Sequence, residues 1–229
     1  MSQGIFIAIE GTDGSGKGTQ TARIIERLTK EGYPVKEIHF PRYGERSAAL
    51  VEDYLNGKFG TAEDVGPYRG SILYACDRYA ASFDIKQWLA EGHIVIANRY
   101  IASNMGHQGG KLTDPVEQKK YFAWNYELEY TIFGIPKPDL NVILHVSAET
   151  AQMLVDKKPA REYLNGKKRD IHEDDLNHLK NAERAYLGLV STFPDFTLVE
   201  CEKDGQLMSI EDIHQKLWEK LQPLLLAKQ

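Results

Sequence analysis

The segment GTDGSGKGT, Gly11 to Thr19, brings together residue types that can hold a polyphosphate. Gly11, Thr12, Asp13, Gly14, Ser15, Gly16, Lys17, Gly18 and Thr19 follow an apolar run, Ile5 to Ile9, that reads as a buried strand. They lead into Thr19–Leu28, which reads as a helix. A glycine-rich turn from strand to helix aims several backbone N–H groups at one point. The helix N-terminus and the Lys17 ammonium add positive potential there. One position departs from the usual phosphate-loop pattern: Gly18 stands where Ser or Thr normally ligates Mg²⁺.

A second concentration of charge lies at Lys157–Arg169, KKPAREYLNGKKR, with six basic residues. Pro159, Asn165 and Gly166 would interrupt a helix there. Alone, such a run reads as a solvated loop. In a chain that also carries a phosphate loop it reads as a basic lid, about 157–170, which neutralises charge and excludes water. Tyr74 and Arg78 lie four apart on a predicted helix and so share a face. They are either an ordinary exposed pair or a ring and guanidinium able to read a base.

These groups need a scaffold. Apolar, β-branched runs at Ile5–Glu10, Val35–Phe40, His93–Ala97, Asn141–Val146 and Thr197–Cys201 alternate with amphipathic stretches near 17–31, 46–56, 67–91, 115–134, 148–158, 173–192 and 209–227. That alternation predicts an α/β fold, a five-stranded, mostly parallel sheet covered by helices on both faces. Asp114-Pro115 predicts a capped helix start, and Pro136-Lys137-Pro138-Asp139 a stiff connection into a strand. With no repeat or low-complexity linker, residues 1–229 read as a single domain.

The chain has 42% hydrophobic residues, net charge −5 and pI near 5.8, which argues against nucleic-acid binding by bulk electrostatics. Cys76 and Cys201 match no metal spacing and read as reduced thiols. The first strand begins too early to leave room for a signal peptide, and no apolar stretch is long enough to span a bilayer. A soluble, cytoplasmic protein without membrane contact is expected.

The ordered motifs IEGTDGSGKGT (Ile9 to Thr19), HFPRYGE (His39 to Glu45), LYACDR (Leu73 to Arg78), NRYIASNMGHQGG (Asn98 to Gly110), GIPKPD (Gly134 to Asp139) and KRDIHEDD (Lys168 to Asp175) resemble those of thymidylate kinases. The resemblance implies a three-layer P-loop kinase fold and ATP-dependent phosphorylation of dTMP to dTDP. It assigns Gly11–Thr19 to ATP, with Mg²⁺ as cofactor. It assigns Asp13, Phe40, Arg42, Tyr43, Tyr74, Arg78, Arg99, Ser103, Asn104, His107 and Gln108 to dTMP. In it Asp13 approaches the acceptor sugar and could also touch the metal; Arg99 grips phosphate; Tyr74 and Arg78 read thymine; Asn104 bonds the base's N3 edge.

Taken on their own, Asp13 and Asn104 also read as turn formers and Phe40 as plain core. Two positions depart from the family. Asn98 replaces an aspartate that orders waters around Mg²⁺, and with Gly18 it leaves phosphates and water to hold most of the metal's shell. His107 replaces a tyrosine that crowds the ribose 2′ position, which loosens the expected sugar selection.

The expected mechanism needs no general base. A phosphomonoester with a second pKa of about 6 is already largely dianionic near neutral pH. Lys17 and the loop amides hold the donor, Arg99 aligns the acceptor, and Arg161 or Arg169 closes from the lid. The stripe Tyr121, Trp124, Leu128 and Ile132 reads as core or as part of a homodimer interface. Alternatives are a kinase for another monophosphate (dUMP or UMP), a deoxynucleoside kinase, or a non-catalytic nucleotide switch. No guanine-reading Asn-Lys-x-Asp segment is present.

Overall fold

A computed structural model describes residues 4–156 and 176–227. The proposed lid segment, with Arg161 and Arg169, lies outside the described residues, as does the KRDIHEDD motif. Five parallel strands form one sheet in the order β2-β3-β1-β4-β5: β1 (Ile5–Glu10), β2 (Val35–His39), β3 (Ile94–Asn98), β4 (Leu140–His145) and β5 (Phe196–Glu200). Each begins and ends within one residue of the predicted runs.

β1 lies at the centre and is buried along its whole length. Its residues alternate between two cores, as a pleated strand requires. Phe6 and Ala8 face a layer built from α3 (Ala62–Ala90), α4 (Ile101–Gly109), α5 (Pro115–Tyr126) and α7 (Leu176–Thr192). Ile5, Ile7 and Ile9 face α1 (Lys17–Lys30) and α8 (Ile210–Ala227). The smaller described elements are α2 (Ala49–Leu55), entered from a 3₁₀ turn at Arg46–Ala48, α6 (Ala148–Asp156), a π turn at Glu127–Ile132, and a hairpin of β6 (Glu202–Lys203) and β7 (Gln206–Leu207).

Local signals explain several boundaries. Thr61 and Asp64 form a reciprocal capping box at the start of α3, and the helix kinks at Gly66-Pro67. Asp114 caps α5, accepting from Val116 N at 2.8 Å, with Pro115 in the first turn. Asp139 accepts from Phe6 N at 2.8 Å, which docks the Pro136–Asp139 connection onto the central strand.

Two expectations need correction. The helix after Pro115 buries the stripe Tyr121, Trp124, Leu128 and Ile132 only in part: Tyr121 is buried and Trp124 packs against the core, while Ile132 is 67% exposed. Its inward positions are Tyr121, Phe122, Asn125 and Glu129, and the chain widens into a π turn at Glu127–Ile132. Two polar residues therefore occupy the face that hydrophobicity alone would give to apolar ones. The second correction is α4, which the sequence does not announce. It contains two glycines and has no side-chain cap of its own. Its start is held by Glu10, a residue of β1.

Candidate active site

The loops that follow β1, β2 and β3 converge at the carboxyl edge of the sheet, where open α/β sheets bind ligands. Together with α3 and α4 they line a cleft of about 280 Å³. Asp13, Gly14, Gly16, Lys17 and Gly18 line one end; Tyr74, Arg78, Asn104 and Gln108 come from α3 and α4.

At the phosphate-loop end the backbone does most of the positioning. Gly14 has φ 87°, and a Cβ there would collide with the Ala151 carbonyl, so only glycine fits. Gly16, at φ 85°, turns the chain into α1, and the helix N-terminus opens on the cleft. Lys17 is 7% exposed, and its ammonium donates to Gly11 O at 2.9 Å and Thr12 O at 2.6 Å. A phosphate that drew the ammonium outward would replace those carbonyls as its partners.

Gly18 is not a steric necessity. A Cβ there would meet only the Asn98 amide, at 3.9 Å. The position has room for a hydroxyl and lacks one.

Arg99, just past β3, has φ 69°, a left-handed conformation that is uncommon outside glycine and clusters at functional sites. Its N–H donates to Ile9 O at 3.0 Å. The guanidinium joins the turn after β1 to α4: it pairs with Asp13, donates to Ser103 Oγ at 3.2 Å, and lies 3.1 Å from His107 Nε2. Burial works against its charge, but Asp13, Tyr186 and Glu10 outweigh that and raise its pKa, so it stays cationic.

Glu10, fully buried, stabilises the turn from below. Its carboxylate accepts from Tyr100 N at 2.7 Å, Ala102 N at 3.1 Å and Ser103 Oγ at 2.6 Å. It thereby caps α4, a favourable place for a carboxylate. Burial raises its pKa, partly offset by Ser103, Arg99 and the Tyr100 amide.

The far end of the cleft is a buried polar cluster. Arg78 is 1% exposed and donates twice to Glu129, from Nε at 2.5 Å and from a terminal nitrogen at 2.7 Å. Burial disfavours the guanidinium charge, but Glu129 overcomes this and raises its pKa. Asn104 and Asn125 each donate to Glu129 Oε1 at 3.3 Å. Asn104 Oδ1 and Gln108 Oε1 are buried acceptors with no partner among the described residues. An unsatisfied acceptor in a cleft wall is costly unless a ligand supplies the donor.

All but one of the residues assigned to the acceptor by resemblance line this cleft. Arg42 does not: its backbone N–H and Nε donate to the buried Asp77 carboxylate at 2.8 and 3.0 Å, and a terminal nitrogen donates to Ser47. Phe40 belongs to the main core and also lines the cleft. Ser103 lines the cleft, but its hydroxyl donates to Glu10.

Asp13 shares its carboxylate with Arg99, and among the described residues no group of three His, Cys, Asp or Glu side chains is placed to hold a metal. The described donor set therefore does not fit a resident, protein-ligated metal ion.

Sequence reasoning missed Glu10, Asn125 and Glu129. A buried arginine on α3 demands a carboxylate, but nothing local says which one. For Glu129 the available signal was its spacing from Phe122 and Asn125 on one helical face.

A family model described as thymidylate kinase matches residues 9–216. The thymidylate kinase of Mycobacterium tuberculosis is 34% identical over 189 residues, covering 82% of this chain and 86% of that protein. A probable thymidylate kinase from Thermococcus onnurineus is 30% identical over 217 residues, covering 92% and 93% of the two chains. The solved thymidylate kinase of Candida albicans superimposes with TM-score 0.75 over 97% of this chain and 93% of its own, at 22% identity, a likeness of fold. The chain belongs to the thymidylate kinase family.

Proposed function

We propose that this chain transfers the γ-phosphoryl group of ATP to the phosphate of dTMP, yielding dTDP. The observation that carries this reading is the cleft's polarity. A phosphate loop with Lys17 lies at one end, and at the other an unpaired buried acceptor, Asn104 Oδ1, lies beside Arg78. A thymine imide offers an N–H next to a carbonyl, which this acceptor and guanidinium complement. Arg99, between the two ends, is where the acceptor phosphate would be drawn into line.

The donor is ATP as its magnesium complex, taken as substrate. Phosphate oxygens and water would supply most of the metal's shell, and the Asn98 amide, close to Gly18, could orient one such water. No residue of the phosphate-loop turn offers a ready general base: Glu10 is capped by two N–H groups and a hydroxyl, and Asp13 is ion-paired. That suits an acceptor already carrying an anionic oxygen and disfavours a neutral sugar hydroxyl. Catalysis then rests on position and charge, with Lys17 and Arg99 in the cleft and Arg161 or Arg169 supplied from the lid.

In this reading residues 1–229 act as one domain, with the lid at about 157–170. The exposed side chains Tyr68, Ile72, Tyr79 and Phe83 along α3 support a homodimer. Two free thiols support a reducing, cytoplasmic setting, and no helix among the described residues is long and apolar enough to cross a membrane.

A coupled assay with ATP and Mg²⁺ over dTMP, dUMP, UMP, dCMP, AMP and thymidine tests the proposal. The highest kcat/KM is expected for dTMP, and preferential phosphorylation of thymidine would overturn it. A second reading, a wider uridylate range, is favoured by one observation: His107 faces the cleft beside Arg99, where a tyrosine would crowd the sugar. A UMP rate approaching that of dUMP would establish it.

A further inference from the structure

We propose that Glu129 is a positioning residue that fixes the donor–acceptor polarity of the base end, and so selects a ring carrying N–H over one carrying a lone pair. The inference rests on the thymidylate reading given above. An asparagine amide can present either its oxygen or its NH₂ to a ligand, and the two orientations read opposite base edges. In Asn104 one end faces Ser71 O at 3.1 Å, Asn125 Oδ1 at 3.1 Å and Glu129 Oε1 at 3.3 Å. Three acceptors surround that position, so it must be the NH₂; the oxygen, on a residue that lines the cleft, is buried with no partner among the described residues and is left for a ligand's N–H.

Asn125 could reverse this, because it too is an amide. It is held the other way because its own NH₂ donates to Glu129 Oε1 at 3.3 Å, turning its oxygen toward Asn104. The orientation of both amides therefore ends at one group. A carboxylate facing a guanidinium only accepts, so it cannot be satisfied by either amide turned around. The same carboxylate holds Arg78 through two bonds, which sets donor and acceptor side by side in the wall. Cytosine, with a bare ring nitrogen beside an amino group, would meet an acceptor with a lone pair and a donor with a donor.

The test is the ratio of kcat/KM for dTMP to that for dCMP, in wild type, Glu129→Gln and Asn125→Ala, with ATP saturating. Gln has nearly the same shape but brings a donor into the cluster, which allows Asn104 to turn. The ratio is expected to fall about tenfold or more in Glu129→Gln, the size of one buried hydrogen bond made or lost. The dTMP loss should appear in KM more than in kcat, while the KM for ATP holds. Asn125→Ala leaves the Arg78–Glu129 pair in place and should move the ratio the same way by less. If Glu129→Gln does not fold, Asn125→Ala decides. Folded variants with an unchanged ratio, whatever their overall activity, would reduce Glu129 to a structural role and overturn the inference. A wild-type enzyme that takes dCMP as readily as dTMP would instead sink the thymidylate reading, and this inference with it.

Discussion

The two ends of the cleft are built on different principles. At the end proposed for phosphate, the backbone itself would be the receptor: glycines with positive φ, a helix N-terminus and one lysine, all within Gly11–Thr19. At the end proposed for the base, the receptor would be a set of buried side chains from α3, α4, α5 and the π turn, meeting only after the helices pack. A backbone receptor asks for charge and little else, which suits a donor phosphate chain. A side-chain receptor with a fixed pattern of donors and acceptors can tell one base from another. Its cost is a buried ion pair that must be fully satisfied.

If that contrast is right, the two ends should fail differently. The largest effect on stability is expected from Arg78→Met. Removing one partner of the Arg78–Glu129 pair leaves a buried carboxylate unpaired, which typically costs about 3–5 kcal/mol. Urea denaturation should show it as a lower midpoint. Lys17→Ala should do the reverse, lowering kcat by roughly 10²–10³-fold, as loss of a transition-state donor does, with the unfolding midpoint little changed. Should Lys17→Ala unfold the protein while Arg78→Met merely slowed it, the contrast between the ends would be wrong.

A smaller effect concerns His145, at the carboxyl end of β4. Burial opposes its charge, but hydrogen bonds to Glu200 and Glu183 outweigh burial and raise its pKa above the ordinary histidine value. The stabilisation is therefore complete below about pH 6.5, the unfolded value, and is lost as pH rises through the higher folded value. Thermal melts should fall over that window in wild type and flatten in His145→Gln. The smallest effect is expected at the surface. Arg23 and Glu211 pair at 2.7 Å with side chains 39% and 70% exposed, and Arg23→Ala should cost under about 1 kcal/mol. A cost comparable to that of Arg78→Met would remove burial as the reason the base end is sensitive.

The phosphate end was legible because its chemistry is contiguous. Strand, glycine turn, lysine and helix occupy neighbouring positions, and each has a local reason for its conformation. All five strands were legible too, since burial on both faces leaves continuous apolar runs. Legibility failed where a residue's role depends on something remote. The helix α4 has poor intrinsic propensity and is capped by Glu10, some ninety positions away in the chain. Of the α5 stripe, Tyr121 is buried as a core reading requires, but the inner face of the helix does not run on to Ile132, which is exposed. Asn125 and Glu129 hold that face instead, drawn in by Arg78 and Asn104. Arg42 is held by Asp77 on α3, a partner that its own loop does not announce.

By itself, then, the sequence determined the parallel sheet, the glycine-rich turn with its lysine and the residue types that line the cleft, because period, propensity and short motifs act over a few positions. Only the tertiary structure decided which way those side chains face and what they are committed to. Asp13 is bound to Arg99, Ser103 to Glu10, and the buried Asn104 oxygen is left without a partner among the described residues. The physical reason is that an amide or a guanidinium has no preferred orientation until its buried partners are in place, and those partners come from helices far apart in the chain.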